Sequence, residues 1–176
     1  MGATDVLDFW FASEADWFRK TDSFDAEVRE RFLPLYRRIA GGDLREWLGA
    51  GRDCLARIIV TDQFPRNMFR GSAQAFATDP LALEAARHAR ALRFDEGYSR
   101  QEKIFAYLPF EHSEALADQD LACELMRPLG DEQYRYAVAH RDIVARFGRF
   151  PHRNAALGRA STPEEIEFLK GPGSSF

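Results

Sequence analysis

Residues 131–154 read Asp131-Glu132-Gln133-Tyr134-Arg135-Tyr136-Ala137-Val138-Ala139-His140-Arg141-Asp142-Ile143-Val144-Ala145-Arg146-Phe147-Gly148-Arg149-Phe150-Pro151-His152-Arg153-Asn154. Tyr136, His140, Ile143 and Phe147 fall at i, i+4, i+7 and i+11, which is one face of an α-helix. Working outward, an earlier stretch uses nearly the same words: Ile59-Val60-Thr61-Asp62-Gln63-Phe64-Pro65-Arg66-Asn67, closing on Arg70-Gly71. In both, an apolar helix runs into Phe-Pro, then a basic residue and an Asn. Proline biases the residue before it away from helical angles, so each Phe-Pro is expected to mark a helix exit. The pair predicts two similar corners that group polar side chains around one arginine-rich site.

Helical signals recur along the rest of the chain and strand signals do not. Thr4 is placed to cap a short helix through Leu7, Trp10 and Phe11, and Ser23 to cap one carrying Val28, Phe32, Leu35 and Ile39. That second helix holds Pro34, where a kink is expected, and stops at Gly41-Gly42. Asp43 opens a single turn through Leu44 and Trp47, and a helix from about Arg52 carries Leu55, Ile58, Ile59 and Asp62 on one face. Asp79-Pro80 opens a helix to about Arg93, Ser99 with Glu102 forms a capping box, and so do Thr162 and Glu165. Pro109 either kinks the helix after Ser99 or starts a new one running to about Met126. The tail from Gly171 to Phe176 reads as irregular. The expectation is one all-helical domain over residues 1–176, a helical bundle or helix-pair superhelix of about seven or eight helices.

Composition narrows the function classes. A chain of 176 residues can bury a full core without staples, and its 15 Phe make that core ring-rich. The net charge of -4 argues against a general nucleic-acid or membrane-surface binder. No apolar run approaches the roughly 20 residues of a membrane span, and no secretory signal opens the chain, so it is expected to be cytoplasmic. Cys54 and Cys123 read as small buried thiols. Arginine outnumbers lysine 21 to 3, and five arginines stand between His140 and Ala160 against one acid, Asp142. Guanidinium forks suit carboxylate and phosphate.

Three polar residues sit on apolar stripes: His140, Asp62, and Glu111 in the run Ile104, Leu108, Glu111. A carboxylate taken out of water needs a charged or hydrogen-bonding partner, and arginines from the same corners are available. Each stripe residue has two readings: a satisfied core group, or part of a site. In Tyr107-Leu108-Pro109-Phe110-Glu111-His112-Ser113-Glu114, a helix starting at Pro109 would set Glu111, His112 and Ser113 in a first turn, whose free amides attract anions. Glu111 would equally serve there as that helix's own charge complement. The histidines do not stand at zinc-site spacing, so no metal and no cofactor is expected. Acid–base candidates are Asp62, Glu111, His140 and His152. Ligand-binding candidates are Arg66, Asn67, Arg70, His112, Arg146, Arg149, Arg153 and Asn154.

The same residues carry a family pattern. The matching parts are Asp8-Phe9-Trp10-Phe11, Asp62-Gln63-Phe64-Pro65-Arg66-Asn67 with Arg70-Gly71, and Ala75-Phe76-Ala77 with Asp79. Further on come Tyr107 to Glu114, Arg146 to Asn154, and Leu157-Gly158-Arg159 with Ser161. The chain resembles the uncharacterised bacterial family catalogued as domain of unknown function 924. The resemblance implies an all-α fold of the tetratricopeptide-like superhelix class. It implies no activity and supplies no catalytic residues.

Three functions compete on this reading. One is a cytosolic helical protein that binds a small anionic ligand or an acidic peptide end in an Arg/His-lined pocket. Another is a hydrolase or lyase using the acid–base residues of that pocket. The last is a tetratricopeptide-like interaction scaffold. An internal occupant is also proposed, the chain's own terminal carboxylate on Phe176. Oligomeric state is not legible.

Overall fold

In the computed structural model the described residues are 1–17 and 19–175. They form eight α-helices joined by short 3₁₀ turns, with no strand among them. The helices are α1 (Ala3–Ala12), α2 (Asp22–Ala40), α3 (Gly51–Met68), α4 (Asp79–Ala91), α5 (Arg100–Glu111), α6 (Leu116–Met126), α7 (Asp131–Phe147) and α8 (Pro163–Phe168). Their contacts gather into two compact units, Met1–Arg70 with Gln74–Pro109, and Gly71–Ala73 with Phe110–Phe176. No described helix is long and apolar enough to cross a membrane.

The first unit is built around α3, which packs against α1, α2 and α4. Every residue from Cys54 to Pro65 is buried, so α3 is enclosed on all sides rather than on one stripe. Phe64 meets the rings of Phe9, Trp10 and Phe32 at 6.3, 5.7 and 4.6 Å. Helix α2 has Thr21 at its N-cap, two residues before the expected Ser23, runs through Pro34 and stops at Gly41 as expected. The Ser99–Glu102 box forms as read, with Ser99 N donating to Glu102 at 2.8 Å.

The first Phe-Pro does not end its helix. Helix α3 passes through Pro65 to Met68, and Phe69 N closes on Pro65 O at 2.9 Å. Proline has no N–H for the Thr61 carbonyl, a loss that would leave a buried acceptor unpaired. The Thr78 hydroxyl fills that place at 2.7 Å, so α3 continues because a distant residue replaces the missing bond.

In the second unit α6 packs on α7, and Ile143, Val144 and Phe150 form a core joined by Phe147 and Phe168. Helix α7 ends at Gly148, whose φ of 69° is the left-handed C-terminal conformation, before Phe150-Pro151 is reached. Pro151 instead opens the 3₁₀ turn Pro151–Arg153. The two echoed stretches are therefore different structures: one proline lies within a helix, the other begins a turn. The Thr162–Glu165 box opens α8 as read.

Pro109 does not start a new helix. It lies inside α5, which ends at Glu111, and α6 starts separately at Leu116. Glu111, His112 and Ser113 are thus at a helix C-terminal end and beyond it, not in a first turn, and the amide-rich anion site drawn for them does not exist. Gln119 closes the turn instead, donating to the carbonyls of Glu111 and Ser113 at 2.6 Å each. Ser174 donates to Leu169 O at 3.2 Å in the tail, while Phe176 and its carboxylate lie outside the described residues.

Candidate functional site

The candidate residues divide between the units. Asp62, Arg66, Asn67 and Arg70 belong to the first; Glu111, His112, His140, Arg146, Arg149, His152, Arg153 and Asn154 belong to the second. All three stripe residues are buried, as their positions predict. Asp62 is wholly buried, and His140 and Glu111 are buried as well.

In the first unit the arginine forks face the protein's own acids. Arg66 grips Asp79 with both arms at 2.9 and 3.1 Å and lies 3.5 Å from Asp62. Burial alone would lower its pKa, but the Asp62 and Asp79 charges outweigh that and raise it. Gln63 donates to the Asp62 carboxylate. Arg70 grips Asp25 with two bonds of 2.7 Å, and Asn67 donates to the same carboxylate at 2.8 Å. Asp25 and Asp79 were not among the sequence candidates, although each stands in the first turn of a helix.

In the second unit two acids secure the segment from Gly148 to Ser161. Glu165 receives both arms of Arg149 at 2.7 and 2.8 Å, Asn154 at 3.2 Å and the Thr162 amide at 2.8 Å. The Arg149 bond, then the amide, hold its carboxyl down to about 2. Glu114 receives Arg159 at 2.7 and 2.9 Å and the Phe150 amide at 2.8 Å. Burial would raise the Glu114 pKa, but the Arg159 bond and the Phe150 amide leave it lowered. Arg146 pairs with Glu164 at 2.7 Å on the surface.

This anchored segment carries Phe150, His152 and Arg153 to α7. His140 packs edge-on against Phe150 at 5.7 Å, His152 lies 5.6 Å from the same ring, and the Arg153 guanidinium covers it at 4.6 Å. His112, just beyond α5, lies 6.3 Å from His140. Three of the chain's 4 histidines therefore gather from three chain segments. His140, Glu111 and Arg153 are buried, while His112 and His152 are half-buried.

His140 Nδ1 lies 2.8 Å from the Tyr136 carbonyl and 3.1 Å from Glu111 Oε1. Both partners accept, so the proton belongs on Nδ1 and the lone pair of the neutral ring on Nε2. Burial pushes this imidazole down to about 3; the Tyr136 acceptor opposes, and His112, Arg153 and His152 push the same way. At neutral pH His140 is an uncharged ring in a positively biased setting, positioned by a carboxylate. Among the described residues no group of three or more His, Cys, Asp or Glu is placed to hold a metal ion. A small apolar cavity of about 170 Å³ lies elsewhere, in the first unit, lined by Met1, Arg31, Pro34, Leu35 and Arg38.

The solved structure of a protein of unknown function from Agrobacterium tumefaciens is similar to this chain at 45% sequence identity. The similarity covers 96% of this chain and 97% of that one, with a TM-score of 0.92. No curated protein matches. The model of a family described as bacterial protein of unknown function (DUF924) matches residues 6–173. With that match spanning nearly its whole length, the chain belongs to the DUF924 family of bacterial proteins.

Proposed function

We propose that the protein binds a small anionic ligand at the histidine–arginine cluster of its second unit. One observation carries this reading: His140, His152 and Arg153 pack on Phe150, and His112, just past the end of α5, lies beside His140. The half-buried His112 and His152 give solvent an approach, and Arg153 and Phe150 form a cationic, aromatic wall behind them. Arg66, Arg70, Arg146 and Arg149, drawn from the sequence as ligand forks, pair with acids of the chain itself. Thermal-shift screening of carboxylate and phosphate metabolites should find stabilising compounds whose effect disappears in Arg153→Gln and His152→Ala. Stabilisers that act equally on both variants would refute the reading.

The Glu111–His140 pair supports a second reading, an acid–base enzyme at the same place. A carboxylate 3.1 Å from Nδ1 orients the ring and leaves the lone pair of the neutral imidazole on Nε2, the position that would act as base. Any compound found by the screen should then be turned over by the native protein and not by His140→Ala. Consecutive helices pack as neighbours in α2–α3, α3–α4 and α6–α7, which favours a tetratricopeptide-like pairing, and the charged composition fits a cytoplasmic protein.

A further inference from the structure

We infer that Glu114 and Arg159 are positioning residues of the anion site: as a pair they fix the turn that presents His152 and Arg153, and so set how tightly an anion is held there. The inference rests on the cluster being the ligand site and names residues outside it. Neither was among the acid–base or ligand candidates drawn from the sequence. The turn Pro151–Arg153 is only three residues long, and it has few bonds of its own. Arg153 N donates to Phe150 O at 3.1 Å and Asn154 N to Pro151 O at 3.0 Å, while Pro151 has no N–H to give. What holds such a turn in one place has to come from elsewhere in the chain.

Arg159 holds both ends of it. Nη2 donates to the Phe150 carbonyl and Nε to Asn154 Oδ1, each at 3.0 Å. The Arg159 main-chain amide adds a bond to the Asn154 carbonyl at 2.8 Å. Glu114 answers the charge, accepting from Nη1 at 2.7 Å and Nη2 at 2.9 Å, and it also accepts from the Phe150 amide at 2.8 Å. Phe150 is thus gripped from both sides, its N–H by the carboxylate and its C=O by the guanidinium. Its ring is fully buried and is the surface on which His152 packs at 5.6 Å and Arg153 at 4.6 Å. A shift of the Phe150 main chain is therefore passed to both side chains. The two charges of the pair offset each other, so the pair acts on the site through geometry. Only a planar fork spans acceptors at both ends of the turn, because guanidinium donors point in fixed directions and a lysine ammonium is a single point. Holding the wall in place beforehand lowers the ordering cost of binding.

Calorimetric titration of the full chain with inorganic phosphate and with oxalate, alongside proton–carbon correlation NMR of the histidine Cε1–H groups, tests this. Arg159→Lys keeps a positive charge opposite Glu114 and removes the bracket. It should weaken anion binding about tenfold, the equivalent of one hydrogen bond between charged groups. In the ligand-free protein, well below the melting temperature, it should also move the His152 signal, which senses the Phe150 ring and is identified by its loss in His152→Asn. A part in stability alone would lower the melting temperature and leave the affinity and the His152 signal of the folded protein unchanged. That result overturns the positioning and leaves the ligand site standing. Glu114→Gln keeps an oxygen for the Phe150 amide and breaks the charged pair; it should show the same two changes in smaller measure, and it decides the question if Arg159→Lys does not fold. Native protein that binds neither anion overturns the ligand site and this inference with it.

Discussion

At the residue scale, this protein spends arginine forks on its own carboxylates. Asp25, Asp79, Glu114 and Glu165 each receive two bonds from one guanidinium. Glu165 is the sharpest case, since four donors converge on one carboxylate. Its replacement by Gln keeps the shape and removes the charge that Arg149 faces. Glu165→Gln should lower the melting temperature and remove part of the acid sensitivity below about pH 4.5, as read by calorimetric melting at pH 7 and pH 4. The sequence pointed at Arg66, Arg70 and Arg149 as forks for a ligand, and the structure pairs each of them with an acid of the chain. The sequence displays donors by type, but which acid reaches which fork depends on separations such as the 45 positions between Asp25 and Arg70.

At the scale of elements, prolines and glycines mark the helices, and their effect depends on what replaces a lost bond. The Thr78 hydroxyl substitutes for the amide that Pro65 lacks. Thr78→Val should cost about 1–3 kcal/mol, the usual penalty for a buried carbonyl left unpaired. In a Pro65→Ala background the alanine amide can bond Thr61 O, so the same change should cost clearly less. A urea-denaturation double-mutant cycle measures the difference, and equal costs in both backgrounds would remove Thr78 as the substitute. At the end of α7, Gly148 has open space where a Cβ would go, so Gly148→Ala meets no clash and suffers only the left-handed backbone. A loss of about 1 kcal/mol is expected in urea denaturation. Sequence reading found the capping boxes at Ser99 and Thr162 because a box lies within four residues. It misjudged Pro65 because the replacement bond comes from Thr78, 17 positions from the carbonyl it fills.

At the scale of the molecule, buried titratable groups set the response to pH. The folded pKa of His140 lies below that of an unfolded histidine, so the unfolded chain binds the proton more readily. Stability from this group is complete above about pH 6.5 and is lost progressively as pH falls toward the folded value. The lowered carboxylates act in the same direction in a lower window: Glu165 contributes above about pH 4.5 and fades toward about 2. Urea midpoints at pH 7.5, 6 and 5 should therefore decline, and His140→Gln should flatten that decline; an unchanged slope would mean that His140 does not titrate on unfolding. By itself the sequence determined the all-helical class, the family, most helix starts, and the burial of Asp62, Glu111 and His140, because periodicity and caps are local properties of the chain. Only the tertiary structure decided that Arg66, Arg70 and Arg149 pair with acids of the chain, that His140 and His152 meet at Phe150, and that His112 lies beside His140. Those meetings join residues tens of positions apart, and no spacing along the chain encodes a distance across a packed core.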